Sequence, residues 1–352
     1  MLRKNWIAML LALVLVMSFV AGCAPPAPPP PAPPAEEKPA EPVEPAKEKV
    51  KIFAVFATPA EEPWVSVITA ACEKLVEEGL VEFAYTDNLG YAGDVERVFR
   101  EVAESGKYDI ITGESFGNEE AVRRVAKDFP EIPFVIGSGL GPTEPNFAVF
   151  DNWIHEPAYL LGMLAGGLTK TNKVGVVGGV PVPEVNRITN AFIRGAKDQN
   201  PNVTVYVSFI NAWFDPAKAK EQALAHIDAG ADVLYAERFG VIEAAAENGL
   251  WVFGQMNDQH ELAPDYVVSS SVWNLTPTFE YVLAAVKAGV FTAQDLKDFS
   301  MMGKGGAVLA PYYGLEAKLP ADLLAAVEAK KQEILNGAFR VDIDESTPGA
   351  VN

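Results

Sequence analysis

From Lys51 onward, short apolar runs rich in β-branched residues alternate with longer stretches whose apolar positions recur at helical spacing. "KIFAVFA" precedes "PWVSVITAACEKLVEEG", "VEFAYT" precedes "GDVERVFREVAESG", and "YDIIT" precedes "NEEAVRRVAKDF". A parallel strand is covered on both faces and reads as a continuous apolar run, so this alternation predicts βαβ units on a parallel sheet. "PFVIGSG" and "FAVFDNW" extend the same layer, and "EPAYLLGMLAGGL" reads as a helix of small residues. A second series then opens at "NKVGVVGG" and runs through "EVNRITNAFIRGAKDQN", "VTVYVSF", "DPAKAKEQALAHIDAG", "ADVLYAE", "IEAAAENG", "LWVFGQ" and "YVVSSSV". One helix in it carries its own punctuation: Asp215 as N-cap, Pro216 at the first helical position and Gly230 past the end. "GAVLAPYY" and "PADLLAAVEAKKQEILNG" supply a returning strand and a closing helix.

The pattern predicts an α/β protein of two Rossmann-like lobes with parallel sheets, joined by a hinge. Lobe 1 is expected over 50–152 plus about 276–345, and lobe 2 over 153–275. The hinge crossings are expected near 151–153, 272–275 and 303–306. Open parallel sheets bind ligands at the carboxyl ends of their strands, so the loops there, between the lobes, are where a ligand is expected.

What precedes the first strand is of another kind. Arg3 and Lys4, an apolar run from Ile7 to Val20 and then small residues make the three-part layout of a secretory signal, too short to span a bilayer comfortably. Val20-Ala21-Gly22-Cys23 resembles the bacterial lipobox, which implies cleavage after residue 22 and a lipid on Cys23. Eleven prolines follow before Lys49, a composition that favours extended polyproline II. At about 3.1 Å per residue such a tether reaches up to roughly 80 Å. Residues 1–22 are thus expected to be a signal peptide and 23–49 a lipidated, proline-rich tether, placing the body outside the cytoplasmic membrane.

Composition narrows the function further. A formal charge of −19 argues against nucleic acid and against a basic membrane-surface patch. Three histidines and one body cysteine, Cys72, give no metal-ligand spacing, so neither metal nor cofactor is expected. A monomer is expected.

Trp64, Phe116, Trp153, Trp213 and Trp273 follow expected strands or begin the next helix, whereas a random core would scatter such residues over helix and strand faces. The bland role for each is core packing. As loop residues on two lobes they suit a flat, polarizable ligand. The loop "GQMNDQH" adds Asn257, Asp258 and Gln259, where a carboxylate either accepts from ligand N–H groups or caps its own turn.

At these residues the chain becomes specific. "EPAYLLGMLAGGLTKTNKVGVVGG", "GGVPVPEVNRITNAFIRGAK", "INAWFDPAKAKEQALAHIDAGADVL" and "GQMND" together resemble the BMP family of basic membrane lipoproteins, over about residues 51–311. The resemblance implies a substrate-binding protein of an ABC importer with a type I periplasmic-binding fold, an ABC permease as partner, and a purine base or nucleoside stacked between aromatics. Trp64, Phe116, Trp213 and Asp258 fall on the matching motifs, with Asn257 as a neighbour. The chain departs from the adenine-type pattern at Glu237, Arg238 and Phe239, which bear on whether a ribose is admitted. It departs again at "VWNLT", which places the tryptophan at Trp273, and at "FDNWIHEPAY", which sets Trp153 and His155 before a helix. A sugar or another small ring in the same cleft, and a lipid-anchored sensor or adhesin, are the alternatives.

Gly113-Glu114-Ser115-Phe116-Gly117 also matches the nucleophile elbow G-x-S-x-G. His260, with Glu237 or Asp258, could complete the chain order of a triad. The whole-chain resemblance instead makes this turn present an aromatic, and a non-enzymatic binding protein is expected.

Overall fold

The computed structural model describes residues 49–91, 94–114 and 116–349. The expected signal peptide, Cys23, the tether up to residue 48 and Ser115 lie outside the described residues. The first sheet is wholly parallel, in the order β2-β1-β3-β4-β5, from β1 (Val50–Val55), β2 (Val81–Thr86), β3 (Ile110–Glu114), β4 (Phe134–Gly137) and β5 (Phe147–Phe150). Helices α1 (Pro63–Glu77), α2 (Asp94–Glu104) and α3 (Glu119–Asp128) link successive strands. Every residue of β3, β4 and β5 is buried, as strands covered on both faces must be.

The chain then crosses to a second layer through α4 (His155–Leu168). There β6 (Lys173–Gly178), α5 (Pro183–Gln199), β7 (Thr204–Phe209), α6 (Pro216–Asp228), β8 (Val233–Ala236), α7 (Val241–Glu247), β9 (Trp251–Met256) and β10 (Val267–Trp273) repeat the βα alternation. α8 (Thr276–Lys287) returns to pack on α1, and β11 (Ala307–Leu309) and α9 (Ala321–Leu335) follow it. The second sheet runs β11-β10-β9-β8-β6-β7, parallel except where β11 pairs antiparallel with β10.

Register sets the strand ends level. Val55 pairs with Gly113, which pairs with Ile136, and Val177 pairs with both Ser208 and Ala236. The loops leaving these ends therefore face one another across the gap between the sheets. Gly113 has φ +144, and a Cβ there would stand 2.1 Å from the Val55 carbonyl oxygen. Only glycine lets the turn toward Phe116 leave the sheet so close to β1.

The return to the first lobe is shorter than the expected 276–345. Val149 and Leu296 are bonded through their backbones, but Met302 N–H already donates to Glu156 of α4. Beyond it, β11 joins the second sheet, α9 packs on α4, and Asn186 and Asn190 of α5 hold residues 344–346. The pattern of "GAVLAPYY" signals a strand but says nothing about which sheet edge it will join. Two of the expected crossings meet at a hydroxyl just before the third: Ser300 Oγ donates to the Asp151 carbonyl at 2.7 Å and accepts from Trp273 Nε1 at 2.9 Å. One apolar cluster runs through this junction from Ile52 and Phe150 to Phe192 and Phe253.

Candidate functional site

Between the facing loops lies a narrow cleft, partly open to solvent, with about 40 Å³ of free space as the lobes stand. The first sheet contributes Trp64 from the start of α1, Glu114 from the end of β3 and Phe116 just past it; the second contributes Glu184, Trp213 and Arg238. Glu62 sits here because it is the N-cap of α1. Its Oε2 accepts from the backbone N–H groups of Trp64 and Val65 at 2.9 and 3.2 Å, satisfying two orphan donors, while Pro63 needs none. Asp215 caps α6 in the same way, accepting from Lys218 N–H at 3.0 Å, and so fixes the loop that carries Trp213.

Phe116 and Trp213 come from opposite lobes and meet edge to face, with ring centroids 4.9 Å apart and planes at 83°. Above Trp213, at 5.2 Å from its ring, lies the Arg238 guanidinium. Arg238 is pinned. Nε and Nη2 donate to the two oxygens of Glu237 at 2.8 and 2.6 Å, and Nη1 donates to Glu62 Oε1 at 3.3 Å and to the Trp213 carbonyl at 3.1 Å. Glu237 in turn accepts from Gly179 N–H at 2.7 Å and Gln255 Nε2 at 3.2 Å. The Glu62–Arg238 pair bridges the lobes with both side chains buried.

The remaining carboxyls are protonation-prone. Burial pushes Glu114 up to about 7, and neighbouring Glu62 adds to the shift, against the pull of the Ala57 N–H that donates to it at 3.1 Å. Glu184 is held well above the usual carboxylate range by burial and by Asp151, and accepts from Asn152 Nδ2. Burial also raises Glu62, with Arg238 opposing it. One arginine already saturated by carboxylates, among acids that resist ionising, offers little to an anion. It suits a neutral or cationic ring with N–H or O–H groups to donate.

Of the residues expected to touch a ligand, Trp64, Phe116 and Trp213 line this cleft. Trp273 lies beneath it, fully engaged with Ser300 and tilted against Trp64 at 5.3 Å. Trp153 lines an adjoining groove, where Arg187 stacks at 4.1 Å and Lys297 at 5.4 Å from its ring. Phe239 packs edge-on against Phe214 at 6.1 Å rather than on the cleft wall. Asn257 reaches across to α1, donating to Ser66 Oγ at 2.9 Å and the Pro63 carbonyl at 3.3 Å. Asp258 is exposed, accepting from the Tyr313 hydroxyl and from His260 N–H at 3.2 Å, which is the turn-capping role.

The polar groups that sequence reasoning passed over are Glu62, Tyr91, Glu114 and Glu184. For the three acids the signal was present: an acid before Pro-Trp, the variable position of G-x-S-x-G, and the acid of "PVPEV". The histidines a triad would need are engaged elsewhere. His155 packs against Trp153, His226 bonds Ser208 at 2.8 Å, and His260 stacks on Tyr313 at 4.2 Å. Among the described residues no group of three or more His, Cys, Asp or Glu is placed to hold a metal ion, and no helix is long and apolar enough to cross a membrane.

A family model described as ABC transporter substrate-binding protein PnrA-like (Bmp) matches residues 49–295. A purine-binding protein of Brucella abortus is 31% identical over 295 residues, covering 82% of each chain. A putative ABC transporter glucose-binding protein of Haloferax volcanii is 34% identical over 263 residues, 74% of this chain and 65% of that protein. Among solved structures, a solute-binding protein of an ABC transporter system from Aeropyrum pernix superposes with a TM-score of 0.71 at 19% identity, over 84% of this chain and 94% of its own. That likeness is one of fold.

Proposed function

Because the chain belongs to the PnrA-like (Bmp) family of ABC transporter substrate-binding proteins, we propose that its cleft captures a purine nucleobase such as adenine, or a nucleoside, for delivery to an ABC permease. The observation that carries this reading is the meeting of Phe116 and Trp213 from opposite lobes above a floor of carboxyls. The two rings touch edge to face here, so a ligand ring stacks between them as the lobes part and the ring planes turn toward each other, and its N–H groups then find Glu114 and Glu184. A ligand that touches both lobes favours the closed arrangement by its differential affinity, with rotation about the crossings that meet at Ser300. The Brucella relative's purine-binding description supports the choice of ring.

Calorimetry with adenine, guanine, hypoxanthine, adenosine and glucose tests it. Tight binding of a purine is expected; glucose binding with no purine signal would overturn the ligand while leaving the family standing. Sugar is the second reading, favoured by the Haloferax relative and by a cleft rich in hydrogen-bonding acids.

Substrate-binding proteins of ABC importers work outside the cytoplasm, and a lipid on Cys23 is the anchor this reading requires. Cys23→Ser is expected to abolish metabolic lipid labelling and detergent partitioning. Unchanged labelling would remove the anchor from the proposal.

A further inference from the structure

Trp64 was expected to be a stacking wall, and its surroundings argue for a different use. Its ring packs in a triangle with Phe150, centroids 5.9 Å apart at 14°, and with Trp273 at 5.3 Å. The far edge of its six-membered ring lies against Gly137, where a Cβ would come within 2.0 Å of Cη2. The residue is 9% exposed, too little to offer a ligand a whole ring face. Yet it lines the cleft, and its indole Nε1 is buried with no hydrogen-bond partner in the protein. Among the described lining residues it is the one side chain with such an orphaned atom.

A buried donor left unpaired is destabilising, and native structures almost always satisfy one. The carboxyl nearest in sequence cannot do so: Glu62 is committed to the backbone N–H groups of Trp64 and Val65 and to Arg238. We infer that Trp64 reads the ligand with its indole N–H, donating to a ring nitrogen or oxygen, and is a specificity-determining residue of this site. The cleft then recognises a ligand from both sides of the hydrogen-bond code, since the acids take its donors and Trp64 takes one acceptor. This rests on the reading that a small ring compound occupies the cleft, and it fixes which property of that ring is tested.

The experiment is calorimetry of the wild-type chain and of Trp64→Phe, which keeps an aromatic in the triangle and removes the N–H. Both proteins are titrated with adenine and its 1-, 3- and 7-deaza analogues, each lacking one acceptor nitrogen, and in parallel with glucose and its monodeoxy forms. In the wild type one analogue is expected to bind about five- to a hundredfold more weakly than its parent, the cost of leaving a buried donor unmade. In Trp64→Phe the same analogue and its parent are expected to bind alike, because the group that told them apart is gone.

If every analogue loses as much affinity in the variant as in the wild type, the inference is overturned. If only the sugars bind, the purine reading fails, and the deoxy series decides the indole by the same comparison. Silence from both series overturns both. Should Trp64→Phe not fold, the ¹⁵N-labelled wild type answers instead, with the Trp213 resonance identified by Trp213→Phe: whichever of adenine or glucose binds must move the Trp64 indole N–H resonance downfield, and no such movement sinks the assignment.

Discussion

Trp64 and Trp213 stand on opposite lobes beside an acid-capped helix start, Trp64 inside α1 two residues after the cap Glu62 and Trp213 in the loop two residues before the cap Asp215 of α6. Their rings are nevertheless used in opposite ways. Trp64 is built into the junction with Phe150 and Trp273, so its ring belongs to the core and only its N–H edge is uncommitted. Trp213 stands in the cleft with the Arg238 guanidinium on its ring and Phe116 edge-on against it. Position at a strand's carboxyl end brings an aromatic to the site; the neighbours it meets there decide which part of the ring remains for a ligand.

The sharpest break in that comparison is between stability and affinity. Trp64→Ala is expected to cost about 3–5 kcal/mol of stability, read as a shift in urea midpoint, because it opens a cavity in the shared core. Arg238→Met strips the cation from Trp213 and leaves Glu237 and Glu62 buried without it, a loss of about 3–5 kcal/mol by the same measurement. The double variant Glu237→Gln with Arg238→Met is expected to recover part of it. An Arg238→Met protein as stable as wild type would show that the guanidinium does not pin the second wall. Trp213→Ala, by contrast, is expected to leave the urea midpoint nearly unchanged and weaken ligand binding by about 1–3 kcal/mol, roughly five- to a hundredfold.

Smaller effects sharpen the polar half of the comparison. Glu114 keeps its proton up to about pH 7 in the folded protein, while the unfolded chain loses it near the ordinary glutamate value of 4.5. Below that value both states are protonated and the stabilising difference is fully present. As pH rises toward 7 the unfolded state gains by ionising first, and the difference is lost. Wild type is therefore expected to lose stability relative to Glu114→Gln between these two pH values; parallel stability curves would show that the carboxyl is not desolvated. Asp258→Asn should be nearly silent, with affinity within about twofold, as for a surface substitution away from the site. A large loss would return Asp258 to the ligand.

The alternation of apolar runs made both sheets legible, and "DPAK" announced its helix start to the residue. Loop aromatics pointed to the cleft because Trp64, Phe116 and Trp213 leave level strand ends. Two things were not readable. Which sheet receives β11 depends on an edge offered by β10, which no local pattern records. Asp258 and Glu62 look alike as isolated acids. Their fates part because the Tyr313 hydroxyl, 55 positions along the chain, claims the first, and Arg238, 176 positions away, meets the second.

The junction at Ser300 also imposes an order of assembly. A chain made from its N-terminus lays down the first sheet early, but β5 is bonded along its outer side by Gln294 and Leu296, and α1 is covered by α8. Those partners are synthesised only after the second sheet's parallel strands. Until then "FAVF" is an open, apolar sheet edge, the kind of surface that recruits strands from other molecules. The first sheet is closed only by residues that follow the second sheet's parallel strands, so it is not a finished body without them, and a chain halted before residue 294 carries an adhesive edge instead of a lobe.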